Sequence, residues 1–175
     1  TKAESVSGLP ETYTELVSGS IGFIPVPLIV LAVFAVLAHI LLRHTIFGRW
    51  VYAIGVNKKT ARVSGMPIDR TVMGVYMLGG FFAGIAAINL TARLGSASAS
   101  MGPETMVLDV VSAAVIGGVS IYGGIGTVLG AVFGAFFITV IGNSMNLLGV
   151  SYFTTLMIKG LIIVVATGLD HLRSR

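Results

Sequence analysis

The sequence predicts an all-α fold: a polytopic transmembrane helical bundle of about five spans, N-terminus periplasmic and C-terminus cytoplasmic. Three observations predict it. Residues 21–42 and 71–92 are two stretches of 22 residues without a Lys, Arg, Asp or Glu. The stretch between them, residues 43–70, holds six of the eleven Lys and Arg against one acid, Asp69. From Val107 onward the chain is almost uniformly apolar but punctuated by glycine pairs.

A helix rises about 1.5 Å per residue, so about 20 residues cross the hydrocarbon, and each charge-free stretch is long enough. A mean hydropathy of +0.95 with only 10% charged residues argues against two buried helices of a water-soluble domain. Orientation follows from the cations, because Lys and Arg are retained on the cytoplasmic side during insertion. Arg43, Arg49, Lys58, Lys59, Arg62 and Arg70 therefore place residues 43–70 inside. Residues 1–20, with Glu4, Glu11 and Glu15 against Lys2, belong outside, as does the segment carrying Glu104 and Asp109 against Arg93. Within residues 1–20 the run LPETYTELVSG reads as an external approach to the first span, compatible with a short amphipathic helix.

Gly117-Gly118 and Gly123-Gly124 divide the remainder. The division gives a short glycine-interrupted span at 107–121, another at 125–143, a polar turn NSMNLLGVSYF, and a last span at 154–170. Three crossings bring the chain back inside, where the tail DHLRSR is basic. Lys159 falls within the last span near its outer end, where a long ammonium side chain snorkels to the headgroups at little cost.

Helices in lipid associate through close approach, so small residues mark their contacts. Gly126, Gly130 and Gly134 recur every fourth residue, flanked by Ala131 and Ala135, and are expected to form a packing ridge within one subunit. Gly80 and Gly84 predict the same on the second span. Reactive chemistry is sparse. With no Cys there are no disulfides or thiolate metal sites. His39, His44 and His171 lie at or beyond cytoplasmic span ends, and no HExxH, GxSxG or Walker-type sequence occurs. Ser112 and Ser120 have no His at matching depth, and Asp109 and Asp170 lie near opposite faces, so intramembrane proteolysis is disfavoured. The expectation is a non-enzymatic transport pathway with no metal site, because broken helices expose backbone groups that only protein or a wet cavity can satisfy. Asn89, Arg93, Ser112, Gly117, Gly118, Asn143 and Asn146 are its candidate residues. For each polar one, an interhelical hydrogen bond or interfacial anchor is at least as good an account as solute contact.

Specific residues in the central segment narrow the function. Gly48-Arg49-Trp50-Val51-Tyr52-Ala53-Ile54-Gly55-Val56-Asn57 and Ala61-Arg62-Val63-Ser64-Gly65-Met66-Pro67 resemble the cytoplasmic segment of permease subunits of bacterial ABC sugar importers of the ribose, xylose, arabinose and galactose type. The resemblance continues through Ala92–Ala97, Leu108-Asp109, Ala113–Gly118, Gly123–Thr127, Gly130, Asn146–Val150 and Lys159-Gly160, covering nearly all of residues 46–170. It implies a multi-pass protein of the bacterial cytoplasmic membrane that pairs with a second permease subunit as a homodimer. It also implies a cytosolic ABC ATPase that uses ATP and Mg, a periplasmic solute-binding protein, no cofactor in this chain and no nucleic acid. It makes Gly48, Arg49, Asn57, Lys58, Arg62, Ser64 and Gly65 the ATPase-coupling residues. Independently, Asn57 suits a helix cap over TARVSG, and Gly65 followed by Pro67 suits its end. Family members run to about twice this length, so residues 1–175 are expected to be a C-terminal part of a permease domain. A secondary transporter or channel, or a non-transporting structural subunit, are the alternatives. The first would more often carry an ionisable residue at mid-membrane, and the second leaves the loop motif unexplained.

Overall fold

The computed structural model describes residues 6–7, 13, 15, 17, 19–97 and 105–173. Among them the fold is all-α apart from four two-residue strands. We number the helices α1 (Val26–His44), α2 (Ile46–Val56), α3 (Lys58–Val63), α4 (Ile68–Leu94), α5 (Thr105–Ile116), α6 (Val128–Leu147) and α7 (Tyr152–Arg173). Each expected span has a helix, but the limits move for local reasons.

The first span begins five residues late. Strands β2 (Ser20–Ile21) and β3 (Ile24–Pro25) pair antiparallel about a turn in which Gly22 has φ +67°. This hairpin consumes the first apolar residues, and the prolines at 25 and 27 then start the helix. Arg43 and His44 occupy the last turn of α1, where the Arg43 cation complements the helix dipole, and the helix runs two residues past the expected end. The second span lengthens at both ends to 27 residues. Asp69 lies in its first turn, Arg93 in its last, and Gly95 closes it with φ +61°.

The third span is shorter than expected. Gly118 has φ +80°, Gly118 N donates to the Val115 carbonyl and Val119 N to the Ala114 carbonyl, both at 2.9 Å, which is a Schellman stop. Helix α5 therefore has 12 residues, about 18 Å against roughly 30 Å of hydrocarbon, and does not cross alone. Its hairpin partner α6 starts at Thr127, whose Oγ1 accepts from Gly130 N at 3.1 Å. Gly65 and Gly149 repeat the Schellman stop at the ends of α3 and α6.

Three helices, α1, α4 and α6, are long and apolar enough to cross a membrane, with mean hydropathy of 2.4, 1.8 and 1.8 in their best windows. Apolar stretches at Met106–Ile116 and Tyr152–Val165 are shorter. Large apolar side chains such as Leu31, Val36, Phe133, Phe136 and Val164 stand exposed along these helices. Water would not tolerate so much contiguous apolar surface, whereas lipid requires it. The protein is an all-α integral membrane protein.

Packing centres on α5 and α6, where Ser112, Ala113, Val115, Gly134 and Ile138 are buried. A methyl group on Gly134 would land on the Ala113 carbonyl, and one on Gly130 on the Gly117 carbonyl. These two glycines form the expected intrasubunit ridge. Gly126 is not part of it, because it lies in the loop before α6 and packs against Val119. Gly80 and Gly84 do not repeat the arrangement: neither meets an atom within 4 Å among the described residues. Phe34 of α1 instead joins α4 through edge contacts with Phe81 and Phe82, both at 5.9 Å.

The N-terminal segment and the end of α4 lie together. Strand β1 (Val6–Ser7) pairs antiparallel with β4 (Ser96–Ala97), and the Tyr13 hydroxyl donates to the Ile88 carbonyl at 3.0 Å. Both therefore lie on one side of the bundle, as the charge pattern requires. The expected amphipathic helix in residues 9–19 lies mostly outside the described residues, as do residues 174–175 of the tail.

Candidate functional site

The segment expected to couple the bundle to a partner, residues 43–70, is built from two helices, α2 and α3. Its first corner is made by Thr45, whose Oγ1 accepts from Gly48 N at 3.2 Å. Gly48 is buried there because a Cβ would lie 2.6 Å from Leu42 Cα. Among the expected coupling residues it is the one that shapes the α1–α2 corner from within. The second corner is Asn57, whose Oδ1 accepts from Lys59 N at 3.0 Å and Thr60 N at 3.1 Å, as expected of a cap. The sequence placed this cap over TARVSG, residues 60–65, and the helix it starts overlaps that run two residues earlier, at Lys58–Val63. Ser64 ends α3 and Gly65, at φ +75°, turns the chain away. Ala61 and Ile68 are buried beneath, anchoring α3 to the start of α4. Arg49, Lys58, Lys59, Arg62 and Arg70 are all exposed, so the outer surface of the segment is basic. Arg62, Met66 and Asp69 line a hollow of about 310 Å³ between α3 and α4.

Helix α2 reaches the loop that joins α5 to α6. Gly55 packs backbone to backbone on Gly123 and Gly124: a methyl group there would lie 2.9 Å from Gly124 Cα and 3.2 Å from the Gly123 carbonyl carbon. Gly123 and Gly124 have φ +91° and +77°, a region that L side chains rarely adopt. One helical turn away, the Tyr52 hydroxyl donates to the Gly126 carbonyl at 2.8 Å. The Gly123-Gly124 pair thus does two things at once: it bends the loop and lets α2 touch its backbone.

The candidate pathway residues do not form one cluster. Asn89 faces a pocket of about 400 Å³ between α1, α4 and α6, lined by Val30, Phe34, Phe82 and Val132. Its Nδ2 donates to the Ile85 carbonyl at 2.9 Å, while its buried Oδ1 has no hydrogen-bond partner among the described residues. Such an orphan acceptor costs free energy unless something hydrogen-bonds to it. Arg93 is exposed in the last turn of α4. Ser112 is fully buried and donates to the Leu108 carbonyl at 2.5 Å, so its hydroxyl is satisfied within α5 and sealed from solvent. Gly117 seats the α5–α6 contact and Gly118 ends α5. Asn143 and Asn146 are exposed in the last two turns of α6.

The expectation for Lys159 is corrected. Rather than snorkelling to the headgroups, its Nζ donates to Asp109 Oδ1 at 2.6 Å, tying α7 to α5. Asp109, counted with the external charges at the outer start of the expected span 107–121, sits inside α5. The pair is partly covered, with 13% of the Lys159 side chain and 36% of that of Asp109 exposed. Both residues line a pocket of about 540 Å³ with Thr139 and Asn143. Sequence reasoning had both residues in hand but no signal to join them across 50 positions.

These features define an integral membrane protein whose first two long helices are linked by a folded, basic segment that touches the broken helical hairpin. The chain belongs to the branched-chain amino acid transport system / permease component family, whose family model matches residues 1–167. It is 39% identical over 176 residues to the ribose import permease protein of Bacillus subtilis, covering 99% of this chain and 54% of that protein. It is 43% identical over 147 residues to the xylose transport system permease protein of Haemophilus influenzae, covering 84% of this chain and 39% of that one. To the galactose/methyl galactoside import permease protein of the same organism it is 38% identical over 142 residues, covering 81% and 42%. The chain spans about half, or less, of the length of these relatives. No solved structure matches it.

Proposed function

We propose that the chain is a C-terminal part of the transmembrane permease subunit of an ATP-driven importer. It moves a monosaccharide or similar small solute across the bacterial inner membrane by alternating access. In this reading α1, α4, α5, α6 and α7 make five crossings, N-terminus outside and C-terminus inside. A cytosolic ABC ATPase grips residues 43–70, a periplasmic binding protein delivers solute, and a second copy of the permease completes the passage. ATP and Mg are used by the ATPase, since the chain offers no phosphate-binding loop.

The observation that carries the proposal is the contact of α2 with the hairpin loop. Movement imposed on the basic face of α3 passes through Asn57 to α2. From there it passes through Gly55 and Tyr52 to the backbone of residues 123–126. Two packed backbones transmit displacement without the slack of long side chains. The orphan Asn89 Oδ1 and the Asn143 amide are then groups that a hydroxylated solute can bond on its way.

One observation favours a second reading. The Asp109–Lys159 pair puts ionisable groups within apolar helices, as ion-coupled transporters do. Sugar uptake by membrane vesicles carrying the protein, its ATPase and its binding protein separates the two. The importer needs ATP and tolerates an ionophore; uptake that survives ATP depletion and collapses with the ion gradient would refute it. Arg62→Glu is expected to abolish co-purification of the ATPase, and unaltered co-purification would remove residues 43–70 from the interface.

A further inference from the structure

Resting on the permease reading, we propose that the groove between α5 and α6, closed by the Asp109–Lys159 pair, is a binding site for a neutral polyhydroxylated solute near the outer mouth of the passage. Four polar side chains converge on this pocket from three helices: Asp109 of α5, Thr139 and Asn143 of α6, and Lys159 of α7. Thr139 and Asn143 are four residues apart and share one face of α6. The walls between them are small, with Ala113 and Ala135 among them, which is what makes the hollow. Its volume of about 540 Å³ lies within the roughly 300–1,000 Å³ of small-molecule sites.

The chemistry selects the class of solute. An ion pair in hydrocarbon is expensive, and its place is toward the protein interior or a wet cavity. Here the two charges cancel, so the pocket has no net charge to attract an ion. Each group nevertheless keeps unused capacity: the ammonium has three donors and the carboxylate four lone-pair sites, and one hydrogen bond joins them. The Thr139 hydroxyl donates to the Ala135 carbonyl at 2.7 Å and still accepts. The Asn143 amide brings a donor and an acceptor together. Alternating donors and acceptors around a charge-neutral hollow match vicinal hydroxyls, each of which donates and accepts. Asn143 lies four residues from the end of α6, about 6 Å from the outer end of the helix in the proposed orientation.

Residues 1–175 contain no cysteine, and with any cysteine outside them replaced by serine the introduced thiols alone report. Asn143→Cys is prepared in the intact protein in lipid nanodiscs, with Thr139→Cys as a second reporter and Phe133→Cys, on the apolar surface, as the dry control. Each is treated with a charged, water-soluble thiol reagent, alone and with D-ribose, D-xylose, D-galactose or valine. The expected result is that the two groove thiols react, the control does not, and at least one sugar slows the groove reaction about threefold, as occupancy at twice the Kd requires. Valine is expected to leave the rate unchanged. Groove thiols that resist the reagent would overturn the inference, because lipid or another helix would then fill the space. So would thiols that react at a rate no sugar alters, or that valine alone protects. ATP-dependent uptake in vesicles reads the permease function separately: intact uptake with an unprotected groove sinks the site alone, and protection without ATP-dependent uptake sinks the importer.

Discussion

Replacing Gly55 with Ala tests the link between the basic segment and the hairpin loop. The added methyl group would meet Gly124 Cα at 2.9 Å and the Gly123 carbonyl carbon at 3.2 Å, and Gly124 N closer still. All three are backbone atoms, so no side chain can swing aside. Gly123 and Gly124 already occupy left-handed φ values that restrict how the loop can retreat. Overpacking of this kind costs about 1–3 kcal/mol. If α2 relieves it by lifting off the loop, about 2 kcal/mol shifts the docked–undocked equilibrium roughly 30-fold. The Tyr52 hydroxyl would then lose the Gly126 carbonyl, now 2.8 Å away. The assay is solute-stimulated ATP hydrolysis by the assembled complex in proteoliposomes, beside thermal unfolding of the same sample. Gly55→Ala is expected to assemble with the ATPase yet lose at least about tenfold of the stimulation, the lower part of that shift. Stimulation and unfolding temperature both equal to wild type would refute the reasoning, since the two backbones would then not be in contact.

Asn57→Ala removes the N-cap of α3 with its two hydrogen bonds and is expected to cost about 1 kcal/mol of local helix stability. Faster amide exchange confined to residues 58–63 measures it. Lys159→Met alone leaves the Asp109 carboxylate uncompensated, so it is expected to destabilise more than the Asp109→Asn, Lys159→Met double variant. With Asp109 36% exposed, the cost should fall below the roughly 3–5 kcal/mol of a fully buried pair. Thermal unfolding of the three proteins decides it. Gly134→Ala drives a methyl group into the Ala113 carbonyl and is expected to cost about 1–3 kcal/mol, whereas Gly84→Ala meets open space and should be neutral or stabilising by up to about 1 kcal/mol.

Where local signals sufficed, the sequence was readable. Charge-free length located α1 and α4, glycine punctuation located α6, Asn57 and Gly65 marked the ends of α3, and the four-residue spacing of Gly130 and Gly134 marked the α5–α6 contact. Features that depend on contacts between distant residues were not readable. The hairpin at residues 20–25 trims α1 because Gly22 permits a tight turn, yet hydropathy counts its residues as span. Helix α2 was missed because its apolar residues read as part of a cationic loop. The Asp109–Lys159 pair joins residues 50 positions apart, and Asn89 meets its pocket only where α1, α4 and α6 come together. Ser112 shows the converse error, since a polar residue in an apolar run is here answered by its own helix.

Helix α4 is 27 residues long, about 40 Å against a hydrocarbon slab of roughly 30 Å. The surplus lets it lean steeply or stand upright with both ends still anchored in the headgroups, at a mismatch cost of only fractions of a kcal/mol per Å. Rocking about its midpoint by about 10° would carry each tip some 3.5 Å sideways, from its half-length of about 20 Å. A seesaw beam longer than its fulcrum is wide can thus exchange displacement between the two membrane faces without unwinding a single turn.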